Sequence, residues 1–251
     1  MERRRGKGAI AETIRCGGRH GSLGFGATTA VVGGVVHVSQ KTTGLQRISI
    51  FPLGGALLFP RMQLPLHIFE PRYRALISDA MARDRRIGLI QPRIIRAEDD
   101  NDTPPLFDIG CLGKIAHVEA LDDGRYNIVL EGLARFRMTR ELDVTTPFRQ
   151  IEAEIEVDDR EDTNLALARR ASLEHESRRF AEGQGYAVDW EAVARLDDES
   201  LVNGIAQIAP FDAAAKQALL EAASLADRAD LIVQLMQFFG RHGGEDRVTL
   251  Q

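Results

Sequence analysis

The hydrophobic pattern of this chain changes period once, close to Asp158, and that switch limits the folds open to it. Before it, apolar residues alternate in short runs. Ile151, Ala153, Ile155 and Val157 interleave with Glu152, Glu154 and Glu156, as in a strand with one face on a core and one in water. Ile115 to Leu121 alternates, Asp122-Asp123-Gly124 supplies a turn, and Tyr126 to Leu130 returns, which reads as a hairpin. Phe136 and Met138 continue the alternation after Gly132. Ile48 to Leu53 reads as a strand ended by proline, and Ile87 to Ile90 as a buried strand. Between these two, Pro71 opens a helix at a position where its missing N–H costs nothing, with Tyr73, Leu76, Ile77, Ala80 and Met81 along one face. The acidic, proline-ended run from Ala97 to Pro105 is expected to be a surface loop.

Past Asp158 the period becomes helical. Residues 162–182 are rich in Ala, Leu, Arg and Glu, and Gly183-Gln184-Gly185 is expected to break that helix. Leu201, Ile205 and Ile208 precede Pro210, and Asp212 stands as N-cap of a helix over Ala213 to Ala223. Leu225, Ala229, Ile232, Leu235, Met236 and Phe239 mark the stripe of a last helix. The expectation is an α+β chain: residues 47–158 mostly β with one early helix, then a helical bundle over 159–251.

Residues 1–46 fit neither part. They hold seven Lys/Arg against two Glu, and ten of the 23 glycines, a density that raises the entropy cost of ordering. Arg3 to Arg5 followed by the apolar stretch from Leu23 to Val38 has the outline of a signal peptide, but the apolar region starts late and no small-residue cleavage site follows. A disordered tail, or an extension outside the functional protein, is expected there. No run of 18 apolar residues exists, so no membrane span is expected and a cytoplasmic location is. The net charge of -5 argues against a dedicated nucleic-acid binder.

Catalytic templates fail one by one. Cys16 and Cys111 form no CxxC pair, and the six histidines show no HExxH or HxH spacing, so neither metal nor cofactor is expected. There is no GxxxxGK[ST] loop and no GxSxG elbow. Beyond the N-terminal segment the lysines are Lys114 and Lys216, read as solvated. Asp122-Asp123, Asp158-Asp159 and Asp197-Asp198 read as turn or helix-start residues. His67 and His117 lie among apolar residues and read as core or boundary groups, and Cys111 as a small buried hydrophobe.

The segment from Ile50 to Phe69 is apolar and punctuated by Pro52, Pro60 and Pro65, which are expected to keep it extended and interrupt sheet pairing. With its neighbours it carries a resemblance. Pro52-Leu53, the spacing P-x-x-x-L-P-L from Pro60 to Leu66, E-x-R-Y from Glu70 to Tyr73, and the later Ile128, Glu131, Gly132 and Arg135 resemble, in order, the motifs of the N-terminal substrate-recognition domain of Lon proteases. Isoleucine at 128 replaces the usual valine of that V-x-x-E-G-x-x-R element. The likeness runs over about 48–158, with a looser helical match to about 239. It implies a PUA-like pseudo-β-barrel followed by helices, without the ATPase and Ser–Lys peptidase modules of the protease.

The resemblance implies a non-catalytic module that captures exposed apolar segments of unfolded or partly folded polypeptides, as an adaptor toward a protease or chaperone. Its candidate contacts are Phe51, Leu57, Leu58, Phe59, Met62, Leu66 and Phe69. The alternative is a PUA-like module that binds RNA or a small ligand through a groove and the basic run Arg61, Arg72, Arg74, Arg83, Arg85, Arg86, Arg93 and Arg96.

Overall fold

The structure, a computed structural model, describes residues 44–93, 104–156 and 164–242. The expected N-terminal tail up to residue 43, most of the 97–105 loop and the Asp158 boundary lie outside those residues.

Five strands close a ring. β1 (Gln46–Pro52) runs parallel to β3 (Arg86–Ile90), which pairs antiparallel with β4 (Ile109–Ala120), and β4 pairs antiparallel with β5 (Tyr126–Leu142). β6 (Gln150–Glu156) pairs with both β5 and β1 and completes the circuit. The long β5 serves two partners along its 17 residues. Its second half, from Arg135, meets β6, while its first half, Tyr126 to Glu131, meets β2 (Gln63–Ile68). Register shifts at Leu112/Gly113, Ile115/His117 and Met138/Arg140 let these long strands curve into the ring.

Pro65 lies inside β2, paired opposite Val129, so the prolines do not exclude pairing as expected. β2 is an edge strand, bonded to β5 alone, and a proline on an edge forfeits only a donor that has no partner. Pro52 likewise pairs with Ile90 at the end of β1. α1 (Pro71–Met81) starts at its proline and buries Tyr73, Leu76, Ile77 and Ala80. These side chains pack with Phe51, Leu58, Ile68, Ile87, Leu89 and Leu130 in one core, while Ile48, Ile50, Leu112, Phe136 and Ile151 fill a second.

The helical part comprises α2 (Leu167–Gln184), α3 (Trp190–Ala194), α4 (Asp198–Ile208), α5 (Ala213–Glu221) and α6 (Leu225–His242). α2 continues through Gly183 and ends at Gly185, whose φ of +76° is the left-handed C-cap conformation that glycine takes without strain. α3 is one short turn capped by Asp189, too brief to show a period in the sequence. Asp212 caps α5 as read, through Ala215 N at 2.7 Å.

The helices share a core with the sheet part. Leu57, Phe59 and Ile109 join Leu173, Phe180, Leu201, Val202, Phe211, Leu219, Ile232 and Met236 in a third cluster. Arg135, buried on β5, reinforces the joint by donating to the carbonyls of Leu220 (3.0 Å) and Ala222 at the end of α5, and it pairs with Glu156 at 2.9 Å.

Candidate functional site

The helical part carries a groove of about 520 Å³ bounded by the end of α2, the connection through Val188, α3 and α4. Its lining is almost wholly apolar: Phe180, Tyr186, Val188, Trp190, Val193, Leu196, Leu201, Ile205, Ile208 and Met236 provide most of it. Sites that take apolar ligands have this size and character. Ile208 is 81% exposed and Tyr186 52%, so large apolar side chains stand open at its rim. Ser177, the polar residue deepest in the lining, turns its hydroxyl to the Met236 sulfur at 3.6 Å.

α4 positions this groove because its two faces have different work. Leu201, Gly204, Ile205 and Ile208 line the groove. On the opposite side Glu199, Asn203 and Gln207, spaced four apart, grip the barrel segment 57–61. Gln207 donates from Nε2 to the Leu57 carbonyl at 2.9 Å and accepts the Phe59 N–H at 3.2 Å. Asn203 donates to the Pro60 carbonyl at 3.2 Å while its Oδ1 accepts from the buried Arg228 at 2.6 Å. Glu199 meets Arg61 at 2.9 Å, and Asp197, the N-cap of α4, meets it at 3.2 Å. Bonds from the Ser200 backbone and hydroxyl, with the Arg61 charge, hold the Asp197 carboxyl below its ordinary value. Lys216 is partly buried and donates to the Gln207 carbonyl at 2.8 Å, so it is not the solvated lysine expected. Burial lowers its pKa.

Of the seven apolar candidates, Phe51, Leu57, Leu58 and Phe59 are buried in the cores and present no surface. Phe51 and Leu58 are covered by α1, and Leu57 and Phe59 by the helical core, long-range contacts that no local pattern reports. Met62 and Leu66 are half-buried, and Phe69 is 60% exposed at the end of β2. Met62 reaches α4, with its sulfur 3.8 Å from where a Cβ on Gly204 would stand. The groove itself was legible only as the spacing Leu201, Ile205, Ile208; Tyr186, Val188, Trp190 and Leu196 sit in segments without a period.

His67 and His117 are exposed, contrary to the core or boundary role expected. They flank a shallower hollow of about 360 Å³ with Pro65, Leu66, Asn127 and Val129. His67 bonds Asn127 at 2.8 Å, because the strand register sets those two side by side. The arginine run does not collect its charge. Arg61, Arg72, Arg83, Arg86 and Arg93 each meet a carboxylate, respectively Asp197 with Glu199, Glu70, Asp79, Asp84 and Asp108. Arg96 lies outside the described residues. Among the described residues no three His, Cys, Asp or Glu gather as a metal site, and no helix is long and apolar enough to cross a membrane.

Residues 47–237 match the family described as the ATP-dependent protease La (LON) substrate-binding domain. The chain belongs to that family. A Lon protease 2 from Herpetosiphon aurantiacus is 28% identical over 197 residues, which cover 77% of this chain and 24% of that protein. Another, from Myxococcus xanthus, is 35% identical over 94 residues, 37% of this chain and 11% of the relative. The chain thus spans at most about a quarter of the length of these relatives. The N-terminal domain of the Mycobacterium avium complex Lon protease superposes with a TM-score of 0.59 at 18% identity, covering 76% of this chain and 98% of that one. A Lon N-terminal domain protein from Xanthomonas campestris does so with 0.56 at 20%, covering 77% and 98%. The match is to the Lon substrate-binding domain and not to the ATPase or protease domains.

The Lon motif residues now have physical roles. Pro60 offers its carbonyl to Asn203, and Pro52 offers its own to the Tyr73 hydroxyl at 3.2 Å. Tyr73 packs against Phe51 with ring centroids 4.1 Å apart and the planes tilted by 48°, and burial raises its pKa. The Glu70 carbonyl accepts the first N–H bonds of α1, from Tyr73 and Arg74. Gly132 exists for space: a Cβ there would fall 2.1 Å from the Phe59 carbonyl oxygen. Its own N–H and C=O hold Met62 and Arg61 at 2.8 Å. Arg135 ties sheet to helices, and nothing in the structure explains Glu131, which is exposed.

Proposed function

We propose that this chain is a non-catalytic polypeptide-binding module, which takes exposed apolar segments of unfolded or partly folded proteins into the α2–α4 groove and serves as an adaptor to proteolysis. The observation that carries the reading is the open apolar groove, with Ile208 81% exposed at its rim, on a domain of the Lon substrate-binding family. A contact that removes roughly 400 Å² of apolar surface from water yields on the order of 10 kcal/mol gross. Association costs of about 4–15 kcal/mol remove most of it, so capture is weak and reversible. That suits a protein that must release what it holds.

The test is fluorescence anisotropy of the full chain titrated into a labelled unfolded polypeptide and into the same polypeptide folded. The expected result is a micromolar Kd for the unfolded form, little changed by salt, and at least tenfold weakening by Ile208→Asp with circular dichroism unchanged. Equal binding of folded and unfolded forms, or no effect of Ile208→Asp, overturns the groove as the site. Binding that moderate salt abolishes would transfer the case to a charged ligand instead.

A further inference from the structure

We infer that the groove's occupant is an amphipathic helix with a carboxylate on the flank of its apolar face, rather than an extended chain. This rests on the polypeptide-binding reading above and names the conformation and charge of what binds.

Two observations lead there. The first is how little the lining can offer a peptide backbone. Its polar side-chain groups are the Ser177 hydroxyl, already directed at the Met236 sulfur, the Tyr186 hydroxyl and the Trp190 indole N–H. An extended segment brings one N–H and one C=O per residue, and each one buried without a partner is penalised. A helix has already bonded those groups along its own axis and presents only side chains. A groove of about 520 Å³ takes the anchors that a helix projects at i, i+3 or i+4, and i+7.

The second observation is Arg178. Its guanidinium lies 4.8 Å from the centroid of the Trp190 ring, and Trp190 lines the groove. Neighbouring cations are already matched: Arg170 holds Glu174 and Asp198, Arg179 holds Glu176, and Arg195 faces Glu191. Among the described residues Arg178 has no carboxylate at ion-pair distance, and the Trp190 ring is what it rests against. A guanidinium held over an indole ring is positioned in advance and can still present its N–H groups to a carboxylate in a fork. A charge at the rim of an apolar slot fixes the orientation of the helix more than its affinity.

The experiment uses three fluorescent 16-residue peptides. One is a helix former with Leu at i, i+3, i+4 and i+7 flanked by Glu; the second has its residues in changed order with one of them replaced by a central proline. In the third the flanking Glu are Lys. Anisotropy is read with the full chain and with its Ile208→Asp and Arg178→Glu variants. The helical Glu peptide is expected to bind at least tenfold tighter than the proline peptide and to lose at least tenfold with Ile208→Asp. It is expected to lose about threefold with Arg178→Glu, and the Lys peptide is expected to recover that loss on the same variant.

Equal binding of the helical and proline peptides overturns the helix while leaving polypeptide capture in place, provided the unfolded polypeptide still binds. If that polypeptide does not bind either, both readings fall together. A charge swap without rescue removes Arg178 from the proposal. A dimer in sedimentation that Ile208→Asp dissolves assigns the groove to a second copy of the chain and overturns the proposal.

Discussion

At the scale of single residues, Asp197 shows how one side chain can serve a helix and a joint together. Its carboxylate accepts the Ser200 N–H at 2.9 Å and the Ser200 hydroxyl at 3.0 Å, which caps α4, and it also meets Arg61. The cap is the larger part, about 1 kcal/mol. The ion pair adds little, because both side chains are about half exposed and water screens them. The carboxyl is held below its ordinary value of 3.8, so its contribution is complete above that pH and is lost as pH falls through the lower, folded-state value. Asp197→Ala is therefore expected to cost about 1 kcal/mol in urea unfolding at pH 7, with the gap to the parent closing below pH 3.8. A gap independent of pH would mean that the carboxylate's charge is not what caps α4.

At the scale of elements, β5 and the segment 57–61 depend on one glycine. Because a Cβ at 132 would overlap backbone and not a yielding side-chain tip, Gly132→Ala should destabilise by about 3 kcal/mol or more, at the upper end of overpacking costs. The urea midpoint measures it, and a change within 0.5 kcal/mol, the range of ordinary surface substitutions, would show that the segment shifts freely. All the strands except β2, and most helices, could be read in the sequence because their apolar residues repeat at periods of two or 3.6. Gly132 and Arg135 were visible as motif letters, yet their reasons were not, since each acts on a partner far along the chain: Phe59 for one, Leu220 and Ala222 for the other. The same distance hid the burial of Phe51, Leu57, Leu58 and Phe59. A run of apolar residues says that something covers them, and only the fold shows that the cover is α1 for Phe51 and Leu58 and the helical core for Leu57 and Phe59.

At the scale of the whole molecule, the sheet ring and the helices stand on a common core and are expected to unfold together. Arg135 sits at their joint, and replacing it with alanine strands the carbonyls that end α5, while Glu156 keeps Arg137 at 3.3 Å. Arg135→Ala is expected to cost about 3 kcal/mol, since it leaves the Leu220 and Ala222 carbonyls without their donor. Far-ultraviolet and tryptophan signals should still fall in one transition at a lower temperature, Trp190 reporting from the helical side. Two separated transitions would show that the parts fold independently. The open side of the sheet carries a different consequence. A strand edge with unpaired amides is a template on which a sticky chain can grow as a further strand, and a protein that collects such chains is exposed to being drawn into their deposits. Pro65, midway along β2, interrupts that edge with a residue that has no hydrogen to give. On the polypeptide-binding reading proposed above, a captured chain rests on this molecule without being able to continue its sheet.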